Sequence, residues 1–279
     1  MKQLLFKPKL MAFITGMGVM LVLIGLILLG RNLGFGLASI ILGATLMVTA
    51  VMFSLFLNLR LHLNMMYKQI LSLQSAVALL RVPLRRPVFF LRHAVSPDFV
   101  ELTAEIIRRA EVKTVLEMGC GASTLYLVSL LPAGQLGGRL VCLESDDAWV
   151  QIMTEELGTT ASAERASAQV MYAPIVAHSV TATPYYRIGD QLALEQPFEL
   201  VVVDGPGDVT LRGGVFVHCM QYLSSGAILV FDDGDQIAIR SIISQWIANN
   251  PDWSANYYST VKGTWIVYNR SQLPSLPLP

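Results

Sequence analysis

The chain has 279 residues, of which 53% are hydrophobic and 14% are charged, and its formal net charge at pH 7 is zero. The charged share lies well below the roughly 25% typical of a soluble domain, which indicates that part of the chain is not soluble. The zero net charge gives no electrostatic reason to expect nucleic acid as a partner.

Two uncharged apolar stretches come first, residues 10–30 and residues 36–58. Each reaches the roughly 20 residues that a helix needs to cross a hydrocarbon core of about 30 Å. Both are too long for the apolar region of a signal peptide, and no small-residue cleavage site follows them. They predict a transmembrane helical hairpin. Two helices buried in a soluble core are the alternative, but such helices normally show a polar face.

The basic residues around this hairpin predict its orientation. They are unevenly distributed: Lys2, Lys7 and Lys9 precede the first span, Arg60, His62 and Lys68 follow the second, and the connecting turn contains only Arg31. By the positive-inside rule, both ends and the domain that follows face the cytoplasm. The scattered cysteines at positions 120, 142 and 219 agree with that location, since their spacing suggests neither a disulfide framework nor a zinc site.

Residues 59–81 contain no Gly or Pro and predict a helix that extends the second span. Several of their apolar residues fall near heptad spacing, which would indicate a short self-associating coil and a homo-oligomer: Leu63, Ile70, Leu73, Val77 and Leu80. We favour the alternative of a helix that lies on the membrane surface or against the following domain. Residues 82–87, VPLRRP, break any helix. We therefore interpret residues 59–95 as a helical linker and a basic connection.

From Ser96 onward, helical and strand-like segments alternate. Ser96 and Pro97 are typical of a helix start, and residues 146–157 and 235–249 can also be helical. Apolar runs of strand length lie between these segments, at residues 114–118, 139–144, 168–172, 198–204 and 227–233. Strands that are apolar on both faces and alternate with helices predict an open α/β fold, with a parallel sheet covered on both sides.

The last part of the chain has a different pattern. Residues 256–268 predict two strands around Lys262 and Gly263, a closing hairpin. Residues 271–279 predict a disordered or extended tail. The predicted organisation is two transmembrane helices in residues 1–58, the connection in residues 59–95, and one α/β domain in residues 96–270.

A glycine-rich turn follows the first predicted strand of this domain, at the sheet edge where open α/β folds bind ligands. Gly119 and Gly121 permit close approach of a ligand to the backbone, although a purely structural turn would also explain two glycines. A dinucleotide site would have a third glycine where this chain has Thr124. Glu117 would repel a pyrophosphate but would accept hydrogen bonds from a cationic amino acid. This pattern disfavours NAD and favours S-adenosylmethionine.

Glu144 ends the second predicted strand, where an acidic side chain can accept both ribose hydroxyls; a solvated strand-end charge is the alternative. Together the motifs VLEMGCGAST, LVCLES, VVVDGP and LVFDDGD resemble the successive sheet motifs of class I S-adenosylmethionine-dependent methyltransferases, over about residues 96–268. Within that superfamily the chain is most similar to a bacterial group in which VDGP and then DD follow the glycine motif. The resemblance implies a Rossmann-like seven-stranded sheet of order 3-2-1-4-5-7-6 with the last strand antiparallel.

The resemblance also implies a cofactor site, which consists of Glu117, Gly119, Gly121, Ser123, Glu144, Ala173 and Asp204. In that site Glu117 and the two glycines flank the methionine part of S-adenosylmethionine. Glu144 lies beside the ribose, and the segment that begins at Ala173 lies beside the adenine.

Three carboxylates should converge near the methyl group of this cofactor, since Asp204 ends the fourth predicted strand and Asp232 and Asp233 end the fifth. Carboxylates at this density suit Mg²⁺, and the arrangement resembles that of catechol-type O-methyltransferases. The chain departs from that pattern, because no lysine closely follows Asp204 and Asp233 replaces an asparagine. The alternative is that Asp204 acts as a general base or orients the acceptor, supported by Asp232 or Asp233. Asp235 is expected to cap the following helix, and a cap is an alternative role for Asp233.

Other candidates have weaker support from the sequence. His178 and His218 are isolated, which is more typical of packing or surface residues than of catalytic bases. Tyr185, Tyr186 and Arg187 fall in the gap between the third and fourth predicted strands and are candidates for an acceptor pocket.

The sequence thus predicts a membrane-anchored methyltransferase at the cytoplasmic face, which methylates a hydroxyl or carboxyl group of a small-molecule, glycan or lipid-linked acceptor. A non-catalytic membrane assembly protein with a methyltransferase-like domain is the first alternative. A nicotinamide-dependent enzyme is the second, and the missing third glycine argues against it.

Overall fold

The computed structural model describes residues 8–29, 31–88, 90, 94–132, 137–160, 166–178, 183–189, 192 and 197–271. The chain divides into two compact units, Met1–Tyr67 and Lys68–Pro279. The predicted tail, apart from Ser271, lies outside the described residues, as do the two lysines at positions 2 and 7.

The first unit is built from two long apolar helices. Helix α1 spans Pro8–Leu29, and helix α2, which continues into the second unit, spans Leu33–Leu79. Both are long and apolar enough to cross a membrane, and only 11% of the residues in the most apolar part of each are buried. The core helix of a soluble protein would be mostly buried, so this exposure favours lipid as the surrounding medium.

Glycines allow α1 and α2 to pack closely. Gly18 and Gly25 on α1 face Gly43 and Gly36 on α2, and a Cβ placed at Gly43 would lie 2.5 Å from the carbonyl oxygen of Gly18. At Gly25 the distance to the carbonyl oxygen of Gly36 would be 2.7 Å. Only glycine fits at these contacts. Small residues that let helix backbones approach are typical of helix pairs inside membranes.

The second unit contains the α/β domain. Its further helices are α3 (Pro97–Arg109), α4 (Ala122–Leu130), α5 (Asp147–Thr159), α6 (Gly214–His218) and α7 (Ile237–Asn249). Its strands are β1 (Thr114–Met118), β2 (Arg139–Glu144), β3 (Ser167–Tyr172), β4 (Ile175–Ala177), β5 (Pro184–Tyr186), β6 (Phe198–Val203), β7 (Leu223–Phe231), β8 (Trp253–Tyr258) and β9 (Thr264–Asn269).

Within the described residues, seven of these strands form one sheet in the order β3-β2-β1-β6-β7-β9-β8. Strands β1, β2, β3, β6 and β7 are parallel, and β9 is antiparallel to both of its neighbours. Strands β4 and β5 form a separate hairpin. When the seven strands of the main sheet are numbered 1 to 7 in chain order, their order in the sheet is 3-2-1-4-5-7-6. The predicted Rossmann-like sheet with an antiparallel last strand is therefore confirmed.

Each face of the sheet packs against its own apolar cluster. One cluster joins Val115 and Leu140 to helices α3, α4 and α5, for example through Ile106 and Leu127. The other joins Leu116 and Val141 to helices α6 and α7 and to the β4-β5 hairpin. Adjacent strand residues point to opposite faces, so continuous apolar runs such as Thr114–Met118 are required.

The predicted elements agree closely with the observed ones, with three main differences. The fifth sheet strand begins at Leu223, four residues before the predicted start, and the closing hairpin begins at Trp253, three residues before its predicted start. The β4-β5 hairpin lies in a gap for which no strand was predicted. The segment VPLRRP packs on the domain, where the backbone N–H of Arg85 donates to the carbonyl of Thr160 at 2.8 Å.

Candidate active site

The two glycines after β1 have different roles. Gly119 has a φ of +83°, and a Cβ there would lie 3.2 Å from the backbone nitrogen of Gly205. Left-handed backbone and this close contact both favour glycine at position 119 for the turn itself. Gly121 is extended, and a Cβ there would meet nothing within 4 Å. Gly121 therefore leaves open space at the end of β1, the place where a ligand is expected.

Glu117 is fully buried in β1 beside this space. Its Oε2 accepts the hydroxyl of Thr124 at 2.7 Å, and the same hydroxyl oxygen accepts the backbone N–H of Gly121 at 2.9 Å. Its Oε1 has no hydrogen-bond partner among the described residues. Burial raises the pKa of Glu117 to about 7, although the hydrogen bond from Thr124 acts in the opposite direction. A cationic donor at Oε1 would satisfy this carboxylate and lower its pKa.

Glu144, at the end of β2, holds the glycine turn in place. Its Oε2 accepts the backbone N–H of Cys120 at 3.2 Å, and its Oε1 accepts those of Ser145 at 2.6 Å and Asp146 at 3.0 Å. The Ser145 hydroxyl also donates to Oε1 at 3.3 Å and the Cys120 thiol to Oε2 at 3.7 Å, so a further hydroxyl donor would have to replace one of these two longer contacts. The carbonyl oxygen of Glu144 accepts the N–H of Ala173, and Ala173 as a whole is only 1% exposed, so it offers almost no surface to a ligand.

The structure brings Asp204, Asp232 and Asp233 together as expected, with one oxygen from each within 4.8 Å of the others. Asp204 follows β6, and the two other aspartates follow β7, the adjacent parallel strand. Asp233 adopts a φ of +58°, which is uncommon for a residue with a side chain and is tolerated best by Asn and Asp. The side chain of Asp232 is fully buried.

Two cations that the sequence analysis missed already pair with these carboxylates. Arg212 is 3% exposed, and its Nη2 lies 3.1 Å from Asp233 Oδ2 and 3.5 Å from Asp204 Oδ1. Its Nε donates to the carbonyl of Pro206 at 3.1 Å. Lys262 Nζ lies 3.3 Å from Asp232 Oδ2. An arginine within a Gly-rich loop and a lysine in the distant β8-β9 turn have no sequence pattern that would connect them to these aspartates.

The predicted Mg²⁺ site does not fit this donor set, despite the close spacing of the carboxylates. A divalent cation bound by Asp204 and Asp233 would have to share them with the buried guanidinium of Arg212, which cannot lose its charge. The two cations, Arg212 and Lys262, balance most of the negative charge of the three carboxylates. We therefore assign no step of the reaction to a metal ion.

The raised pKa of Asp204 favours a role for this residue as a base. Burial raises the pKa of Asp204 well above its ordinary value, the neighbouring charge of Asp232 adds to that effect, and Arg212 opposes it. The pKa of Asp232 is raised as well, mainly by burial. A carboxylate with a raised pKa accepts a proton more readily near neutral pH than an ordinary aspartate does.

Asp204 and the glycine turn line one cavity of about 690 Å³, a size common for small-molecule sites. Cys120, Gly121 and Ser123 form part of its wall beside Asp204. The remaining wall is largely apolar and comes from α5 and from the segment before α3, including Val88, Val95, Trp149, Ile152 and Met153. Arg86 also lines it and makes no hydrogen bond or ion pair among the described residues.

Several weaker candidates lie elsewhere. Tyr185 and Tyr186 are 0% and 1% exposed and belong to the core, so the prediction that they line an acceptor pocket is wrong. His178 and His218 come together, with ring centroids 4.0 Å apart, but neither lines the cavity. The prediction of a helix cap at Asp235 is also wrong, because Gln236 precedes α7 at the N-cap.

Comparison with known proteins agrees with this geometry. Residues 116–234 match a protein-family profile described as "Methyltransferase domain". This match supports a methyltransferase. The matched segment begins within β1 and ends just after the aspartate pair, so it contains the glycine turn and all three carboxylates. No curated protein matches the chain.

Solved structures are similar to the methyltransferase domain at low identity. An O-methyltransferase from Bacillus cereus in complex with SAH is 20% identical, with a TM-score of 0.46, over 73% of this chain and 90% of the other. An SAH-bound methyltransferase from Podospora anserina is 16% identical, with a TM-score of 0.44, over 62% of this chain and 81% of the other. A methyltransferase from Geobacter sulfurreducens is 14% identical, with a TM-score of 0.40, over 61% of this chain and 77% of the other.

The pairing of Arg212 with the aspartates predicts a distinct response to divalent cations. Arg212→Met would leave Asp204 and Asp233 without their cation, which should lower the melting temperature of the protein. Mn²⁺ at about millimolar concentration should then raise the melting temperature of this variant, since the freed carboxylates can bind it, and should leave the wild-type value unchanged. Arg187→Met, at an exposed position, is the matched control. Stabilisation of the wild type by Mn²⁺ would contradict the assignment.

Proposed function

We propose that the protein is a membrane-anchored, S-adenosylmethionine-dependent O-methyltransferase that acts on a hydroxyl or carboxyl group of a small-molecule, glycan or lipid-linked acceptor. The observation that carries this proposal is one cavity lined by both Gly121, with the open space beside it, and Asp204, while Glu117 is buried in the strand that precedes the glycine turn. The methyltransferase-domain match over residues 116–234 supports the class of reaction.

The glycine turn and its neighbours are proposed to bind S-adenosylmethionine. Glu117 would accept the cationic amino group at Oε1, the atom that lacks a partner. Gly121 and Ser123 would contact the methionine part, because both line the cavity, and Gly119 shapes the turn beneath it. Glu144 would accept ribose hydroxyls in place of its two longest contacts, those with the Ser145 hydroxyl and the Cys120 thiol, and the backbone after Ala173 would border the adenine.

Asp204 is proposed to take the proton from the acceptor. Bound S-adenosylmethionine supplies a methyl group that is already activated by the sulfonium charge. The protein must then hold the acceptor oxygen and, for a hydroxyl acceptor, remove its proton; a carboxylate acceptor is already deprotonated. Asp204 lines the cavity where this would occur. Arg212 fixes Asp204 by its contact with Oδ1, and Asp232 raises the pKa of Asp204 through its charge.

The cavity wall favours an amphipathic acceptor. Apolar side chains such as Val88, Val95 and Ile152 would cover an apolar part of the acceptor, and Trp149 adds an aromatic surface. Arg86, without a partner among the described residues, would bind an anionic group such as a phosphate or carboxylate. A lipid or lipid-linked molecule combines these features, which fits the proposed location.

The location at the membrane is itself part of the proposal. It rests on the length and exposure of α1 and α2, on the glycine contacts between them and on the basic residues at both ends of the hairpin. By the positive-inside rule, the methyltransferase domain faces the cytoplasm.

A transfer assay tests the proposal. The full-length protein in lipid nanodiscs is incubated with methyl-labelled S-adenosylmethionine and either dodecyl gallate, an alkyl ester with aromatic hydroxyls, or dodecanoate, a carboxylate. Propyl gallate is the short-chain control for dodecyl gallate. We expect labelled product and an equal amount of S-adenosylhomocysteine (SAH), with a preference for the dodecyl chain. Binding of S-adenosylmethionine without transfer to any probe would favour the non-catalytic assembly protein.

A further inference from the structure

A stripe of exposed apolar side chains follows the C-terminal part of α2. Its members are spaced three and four residues apart in alternation: Leu63, Met66, Ile70, Leu73, Val77 and Leu80. Each of the six side chains is between 54% and 78% exposed. Six large apolar residues on one line of a helix need a covering surface, because isolated exposed residues are ordinary but a continuous stripe is not.

The opposite side of the same helix already packs against the α/β domain within the second unit. Lys68 Nζ lies 2.9 Å from Asp235 Oδ2 and 3.4 Å from the carbonyl oxygen of Val261. Ser75 and Leu79 are 5% and 3% exposed, and Leu79 belongs to the core cluster. The favoured prediction of packing against the domain therefore applies to this side. The stripe itself does not attach the helix to the domain.

The spacing of the stripe and the residue types of its last four members are those of a two-stranded coiled coil, whereas Leu63 at an a position and Met66 at a d position depart from that pattern. Spacings that alternate between three and four residues give an average period of 3.5 residues, and this period keeps the stripe facing a partner helix. If Ile70 and Val77 take the a positions, Leu73 and Leu80 take the d positions. β-Branched residues at a with leucine at d favour parallel dimers over larger assemblies.

The residues that flank the stripe are compatible with a second copy of the same helix. The e and g positions beside the last four stripe residues, from residue 69 to residue 76, carry no charge; they are Gln69, Gln74 and Ala76. Identical helices therefore meet no like-charge repulsion there. A helix that lies on a membrane surface normally carries Lys or Arg beside its apolar face. Residues 69–80 contain neither, and Lys68 is only 12% exposed and paired with Asp235.

We propose that residues 63–80 form a parallel coiled coil with a second copy of this chain, so that the protein is a homodimer. This inference does not depend on the methyltransferase activity. Its parallel sense also agrees with the proposed membrane anchor, which would give both copies the same orientation. The paired helices would be about 27 Å long, at 1.5 Å per residue. Anchoring in one bilayer raises the local concentration of the two helices, which helps so short a coil to form.

The test measures the mass of the full-length protein in detergent by light scattering. We expect the wild type to be a dimer at about 10 μM. Leu73→Lys should raise the dissociation constant of the dimer at least tenfold, because it places a charge at a d position in the seam, the apolar interface formed by the a and d residues. Gln74→Lys, the adjacent exposed residue outside the seam, is the matched control and should remain dimeric. Since Leu73 is solvent-exposed in one chain, both variants should fold, which circular dichroism and thermal melting would verify.

A second variant tests the register directly. Leu73→Cys places identical cysteines opposite each other at a d position, and mild oxidation should give a covalent dimer faster than for Gln74→Cys. The three native cysteines are buried and should contribute little. The proposal would be overturned if the wild type remains monomeric and Leu73→Cys does not cross-link. A dimer that persists unchanged in Leu73→Lys would also overturn it, since the contact would then lie elsewhere.

Discussion

Asp204→Asn should lower kcat for methyl transfer by about 10²–10⁴-fold, the range expected when a general base is removed. The asparagine keeps the size of the side chain and an oxygen for Arg212, so affinity for S-adenosylmethionine should change little. Initial rates with labelled S-adenosylmethionine and calorimetric titration would separate the two effects. Asp208→Asn, an exposed aspartate four residues further on, is the matched control and should keep full activity.

The pH profile provides an independent readout for Asp204. Because its pKa is raised by burial and by Asp232, the wild-type rate should increase with pH as Asp204 loses its proton. The residual rate of Asp204→Asn should not show this increase with pH. A variant that keeps more than half of the wild-type kcat, or the same pH profile, would contradict the role of Asp204 as base.

Glu117→Gln should weaken the binding of S-adenosylmethionine and remove its pH dependence below pH 7. In the free protein the pKa of Glu117 is raised to about 7, mainly by burial, so the carboxyl group is mostly protonated at pH 6. A cationic ligand requires the carboxylate. The ionised fraction grows from roughly a tenth at pH 6 to a half at pH 7, so wild-type affinity should rise about fivefold over that interval.

Calorimetry in two buffers of different ionisation enthalpy would measure the proton released from Glu117 on binding. We expect close to one proton at pH 6 for the wild type and for Glu155→Gln, an exposed control, and none for Glu117→Gln. Without ligand, the raised pKa stabilises the fold below about pH 4.5, and this contribution is lost as pH rises through about 7. Wild-type affinity that stays constant between pH 6 and pH 7 would contradict this role.

The strand pattern of the domain was predictable because local sequence determines it. The runs 114–118 and 139–144 coincide with β1 and β2, since strands covered on both faces are mostly apolar, with Glu117 as the buried exception within β1. Strand β7 extends to Leu223 through the less apolar residues Ser224, Ser225 and Gly226, which do not resemble a buried strand. The β4-β5 hairpin was missed because each of its strands has only three residues.

The candidate site was predictable only in part. Strand ends place Asp204 and Asp232 from topology alone, because the carboxyl ends of adjacent parallel strands meet at one edge. Arg212 reaches them from a loop, and its burial depends on the tertiary packing around Pro206 and Asp232. The same limit applies to Tyr185 and Tyr186, which are polar enough for a pocket by type but lie in the core.

Calorimetric titration of the full-length protein in detergent with S-adenosylmethionine, SAH and NAD tests the central claim most directly. The open space beside Gly121 and the unpartnered oxygen of Glu117 predict binding of one S-adenosylmethionine per chain, with a dissociation constant in the roughly micromolar to sub-millimolar range, and binding of SAH at the same site. NAD should produce no heat of binding up to millimolar concentration. If neither S-adenosylmethionine nor SAH binds up to millimolar concentration, the proposed function is contradicted.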